Sequence, residues 1–124
     1  MRIIRSALAA SLTGVLVAAS AWGHDSTTPF ADWMKSLMQP DFPLSSCCGP
    51  ADQYYVREYQ PSERDGIAFA AVVVGDHGKT DFRIEIPSRK VIWDRVNPTG
   101  RGVIFILDYS WGRSVLCFVP AVGM

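Results

Sequence analysis

Three cysteines and two histidines carry most of the reactive chemistry in this chain. Cys47 and Cys48 sit side by side in SSCCGPAD, and Cys117 lies near the C-terminal end in SVLCFVP. In an oxidising compartment thiols pair, and three thiols leave one over. One solution joins Cys117 to Cys47 or to Cys48 and closes a loop of about seventy residues. In the chain-entropy model that is worth roughly 4 kcal/mol, a large share of the roughly 5–10 kcal/mol that holds a small domain together. A Cys47–Cys48 bond would span a single peptide and distort it, giving a reducible bond suited to redox or ligand switching. A three-thiolate metal site lacks both a fourth ligand and C-x-x-C spacing. An odd thiol also allows a bridge to a second chain, hence a disulfide-linked dimer.

The histidines are His24 and His77. Cleavage of a leader after Gly23 makes His24 the first residue, where amine and imidazole together suit Cu(II). Cleavage after Ala21 gives Trp22-Gly23-His24, a third-position histidine that suits Cu(II) or Ni(II) with backbone nitrogens. His77 falls in the turn Asp76-His77-Gly78-Lys79, and nothing in the sequence brings the two histidines together. Copper is therefore the alternative cofactor to none at all.

Catalytic patterns are missing. The chain has no Gly-x-Ser-x-Gly elbow, phosphate loop or His-Glu-x-x-His helix. Aromatic and arginine residues remain, and these dominate binding hot spots. Strict alternation would place Tyr55, Arg57 and Tyr59 on one strand face, opposite Tyr54 and Val56. Trp111, in the turn Ser-Trp-Gly-Arg, is the best-placed exposed anchor, with Arg113 beside it.

The elements that must position these residues begin after a leader. Met1 to Arg5 holds two arginines, and Ser6 to Ala21 is apolar or small throughout, which reads as a signal peptide over 1–23 followed by one domain over 24–124. At about sixteen residues that stretch is short for a membrane span, and no later one is long enough. The 124-residue chain has 12 basic and 12 acidic residues; without Arg2 and Arg5, ten basic face twelve acidic. That balance excludes a nucleic-acid binder of the ordinary basic kind.

Thr28-Pro29 before FADWMKSLM predicts a helix with Thr28 as N-cap and an apolar face, stopped by Pro40 and Pro43. Strands are predicted over 53–60, 67–75, 80–87, 103–109 and 114–120. The second is apolar on both faces, which suggests a central strand. The segment 87–93 reads as a turn or short helix entering a brief strand, and NPTGRG as a turn. The expected fold is α+β: one N-terminal helix, then a mainly antiparallel curved sheet or small partly open barrel of about five strands.

The mature start HD, DWMKSL, SCCGPAD, IPSRKVI, NPTGR and LCFVP together resemble a group of small exported alphaproteobacterial proteins of unknown function, the rhizobial kind especially. The resemblance implies export and disulfide bonding, and brings no activity. Those proteins often carry one more cysteine soon after the doublet and another in the penultimate strand; here the corresponding positions are Gln53 and about Phe105. The chain thus lacks one bridge as a pair, which favours a staple from the doublet to Cys117. The expected function is a periplasmic or secreted, non-enzymatic module that binds an envelope protein, as an accessory subunit or inhibitor. The alternative is copper binding or thiol redox handling through His24 or the doublet.

Overall fold

The computed structural model describes residues 29–76 and 78–122. Five strands form, β1 (Asp52–Pro61), β2 (Ile67–Val73), β3 (Phe82–Pro87), β4 (Gly102–Tyr109) and β5 (Gly112–Val119). They pair antiparallel in one sheet of order β3-β2-β1-β4-β5. The sheet curls until its edges approach. At one end, after β3, a short 3-10 turn (Ser88–Lys90) delivers Val91 to a parallel bridge with Phe118 of β5, and Ile92 N donates to Phe118 O at 2.8 Å. At the other end Arg113 lies over the Phe82 ring, 3.9 Å from its centroid. The result is a small, partly open barrel.

Alternation assigns the two faces of the strands. Tyr54, Val56, Val73, Ile86, Ile104, Ile106 and Phe118 fill the barrel interior. Val103, Phe105, Cys117 and Val119 point outward, yet they are buried, because Met34, Leu37, Cys47, Cys48 and Ala51 cover them. That double burial explains why VIFI reads as a continuous apolar run. β2 is paired on both sides, but its second apolar face is not core: Ala70 is exposed and Val72 half-buried. They line, with Glu58 and Arg83, a shallow groove of about 450 Å³.

Bulges break the register three times, between Val56 and Glu58, between Ile67 and Phe69, and opposite Phe105/Ile106. A bulge adds a residue and increases local twist, which helps a five-stranded sheet to curl this far. In the β2–β3 turn the chain passes so close to itself that a Cβ on Gly75 would come within 2.7 Å of the Thr80 carbonyl oxygen.

The expected N-terminal helix is corrected to little more than one turn. The helix α1 spans only Ala31–Lys35, with Phe30 at the N-cap position and no side-chain cap; Thr28 lies outside the described residues. Tertiary pairing ends it before the prolines do. Ser36 Oγ donates to Trp33 O at 2.6 Å, Leu37 N tightens back onto Met34 O, and Met38 then bridges Ser46. Gln39 N donates to Ser45 O and Cys47 N to Leu37 O, so 37–47 is a closed loop rather than a helical extension. No helix among the described residues is long and apolar enough to cross a membrane.

Candidate functional site

The doublet divides its labour. Cys47 pairs with Cys117 across 70 residues of sequence, with Cα atoms 5.7 Å apart. The bond pins the 37–47 loop to β5, opposite Phe105 of β4. Cys48 keeps its thiol and packs in the outer core beneath α1, its backbone N–H donating to Ser46 Oγ. Burial pushes that thiol up to about 11, with Lys35 partly offsetting the effect. A thiol that stays protonated at neutral pH is a poor nucleophile. The vicinal bond and the three-thiolate site are both ruled out by this pairing. Among the described residues no group of three His, Cys, Asp or Glu is placed to hold a metal ion. His24 and His77 lie outside the described residues, as does the leader 1–23.

The trio Tyr55, Arg57 and Tyr59 is not brought together. The bulge between Val56 and Glu58 turns Tyr59 onto the interior face, where it makes edge contacts with Phe69 and Phe118, each at 5.1 Å. Its hydroxyl accepts from Ala121 N at 3.0 Å. Tyr55 is half-buried against the outer core with Arg101 over its ring, and Arg57 projects outward, pairing with Asp81 at 2.7 Å. The backbone N–H of Gly75 and then Arg57 hold the Asp81 carboxyl below its usual range.

The β4–β5 end of the barrel is different. Ser110 and Trp111 form a two-residue turn closed by the Tyr109–Gly112 pair, the tightest link between antiparallel strands. Trp111 is 81% exposed and Tyr109 43%, and their rings stack at 4.5 Å and 7°. A polar network lies at the barrel mouth, beside the interior residues Tyr54 and Phe82. Arg113 pairs with Asp108 at 3.1 Å while covering Phe82, and Tyr54 Oη donates to the second Asp108 oxygen at 3.2 Å. Burial, then the charges of Asp108, Asp52 and Asp76, push the Tyr54 hydroxyl up to about 12. Arg113 is therefore engaged at the mouth with Asp108 and Phe82, and Trp111 with Tyr109 is the exposed aromatic surface of the turn.

Two buried polar anchors had little sequence signal. Lys90, 6% exposed, donates to Asp41 Oδ1 at 2.9 Å and to Gln39 Oε1 at 3.3 Å, tying the loop after α1 to the 3-10 turn. Its neighbour Arg89 is the same type of residue and exposed, so only the three-dimensional register tells them apart. Asn97, 3% exposed, donates to the carbonyls of Arg101, Val119 and Pro120 and accepts from Thr99. Asn before Pro-Thr-Gly signals such a turn, though not its burial.

No protein-family model, curated protein or solved structure compared with the chain gives a significant match.

Proposed function

We propose that the chain is an exported, disulfide-stapled, non-enzymatic module that binds another protein of the cell envelope through its β4–β5 tip. One observation carries the reading: the Trp111–Tyr109 stack stands in solvent on a tight hairpin whose next cross-strand pair is Asp108 with Arg113. Large apolar rings exposed in a fixed orientation lose little conformational freedom on binding and bury much area. A buried, protonated Cys48 disfavours thiol chemistry as the purpose of the doublet. Export rests on the leader-like start and is supported by the Cys47–Cys117 bond, which suits an oxidising compartment.

A pull-down from envelope extract tests the binding reading, using the intact chain and the variants Trp111→Ala and Tyr109→Ala. Loss of a specific bound protein with both variants is the expected result. A bound set unchanged by either variant would contradict it.

A further inference from the structure

A second exposed apolar surface is anchored at the end of β3, away from the tip, which lies beside the start of that strand. The loop after α1 presents Met38, Phe42 and Leu44 to solvent, with Pro40 and Pro43 also exposed. Leu44 is 98% exposed and so packs on nothing in its own chain. The loop is held in place from three sides. Met38 bridges Ser46, Lys90 pairs with Asp41, and Cys47 is bonded to Cys117. Ser45 N donates to Phe42 O at 2.8 Å, closing a turn with Pro43 and Leu44 in the middle. Beside the turn lies a cleft of about 320 Å³ with Met38, Pro40, Pro43 and Ile92 as its apolar lining. Asp94 and Arg95 complete the lining on its polar side, and both are exposed. Arg95 donates to Ser36 Oγ at 2.7 Å, and neither residue has an ion-pair partner among the described residues.

The exposed apolar area of this loop is on the order of 500 Å². A standard interface buries about 800 Å² per partner, of which about 65% is apolar between like chains, so the loop supplies what a homodimer needs. A two-fold axis further requires the surface to complement itself. A projecting leucine, an apolar cleft lined by the proline before it, and unlike charges on adjacent residues of that cleft meet the requirement. An unlike partner needs only one half of each pair; a second copy needs both. We infer that two copies of the chain associate through this surface, Leu44 of each entering the cleft of the other and Asp94 of each meeting Arg95 of the other. Because the loop is pinned in advance, little freedom is lost when it docks. The inference stands apart from the reading of the Trp111 tip, which lies at the other end of the barrel.

Sedimentation equilibrium of the chain, from His24 onward and with its disulfide formed, tests this at concentrations from about 1 to 300 μM. The variants are Leu44→Ser, Asp94→Arg, Arg95→Asp, the double reversal Asp94→Arg with Arg95→Asp, and Trp111→Ala as the control. All four positions are exposed, so folding is retained, and circular dichroism checks it. A reversible dimer is expected. Leu44→Ser should raise its dissociation constant about tenfold or more, and each single charge reversal about threefold or more. The double reversal should regain most of that loss, because both cross-pairs are restored with their signs exchanged. Trp111→Ala should leave the dimer unchanged. The inference is overturned if the chain is monomeric throughout, if Leu44→Ser does not weaken the dimer, or if the double reversal regains nothing over the single ones. It is overturned equally if Trp111→Ala dissociates the dimer in place of Leu44→Ser, or if the dimer persists in denaturant without reductant, as a bridge through Cys48 would. A monomer that binds phosphatidylglycerol vesicles through Leu44 would assign the loop to a lipid surface instead. None of these results alters whether Trp111 is needed to capture an envelope protein, so the two readings fail separately.

Discussion

Arg113 lies 3.9 Å above the Phe82 ring and so joins β5 to β3, the two edge strands of a sheet that has no backbone ladder between them at this end. The same guanidinium meets Asp108, which accepts from Tyr54 on the central strand β1. One side chain thus ties four strands together at the barrel mouth and sets the base on which the Trp111 hairpin stands.

Replacing Arg113 by alanine should loosen that mouth. The contact is half-exposed, so the loss in global stability is modest, about 1 kcal/mol. The local effect is larger: amide exchange at the start of β3 and in the 110–112 turn should accelerate well beyond that in β1. Denaturant unfolding and hydrogen exchange measured together check this, and uniform exchange across the sheet would refute the bracing role.

Alkaline pH acts through Tyr54. Its hydroxyl is raised in the fold, to about 12 from the ordinary value near 10, so the folded state holds the proton more tightly. The stabilisation is fully present below about pH 10 and is lost as pH rises toward 12. Ultraviolet titration of tyrosinate should show one late-ionising tyrosine accompanied by loss of near-ultraviolet circular dichroism. Tyr54→Phe should remove that late step; its persistence would show that another tyrosine is responsible.

For the cysteines the expected contrast is sharp. In the native protein Cys48 should resist alkylation at neutral pH, and after denaturation without reductant it should take up one adduct by intact mass. Cys48→Ala should retain the fold, whereas replacing both Cys47 and Cys117 by alanine should cost roughly 4 kcal/mol. Rapid native labelling at Cys48 would contradict its burial.

The five strands were legible because each shows a period-two pattern or a short apolar run between turn residues. The cysteine staple was legible as a choice of two partners, of which the fold pairs Cys47 with Cys117. The helix was misread because local periodicity across FADWMKSLM does not reveal that Met38 would be claimed by Ser46. Tyr59 was misplaced for a similar reason. Nothing in YYVREYQ marks a bulge at Arg57, and one inserted residue moves every later side chain to the other face. Trp111 was legible, because a tryptophan between Ser and Gly-Arg in a two-residue turn has no core to enter.

The buried pair Lys90–Asp41 offers a separate test of how the loop after α1 is held. Asp41→Ala strands an ammonium that is 8% exposed and should cost about 3 kcal/mol. The double variant Lys90→Met with Asp41→Ala removes both charges and should recover part of that loss. If the double variant is the less stable of the two, the pair is not the loop's anchor.

The most direct test of the binding surface places a photo-crosslinking amino acid at position 111, and separately at position 63 in the β1–β2 turn, of the chain expressed in its native host. A discrete adduct to one envelope protein from position 111, absent from position 63, is the expected result. No adduct at 111, or the same adducts from both positions, would contradict the assignment of the tip as the docking surface.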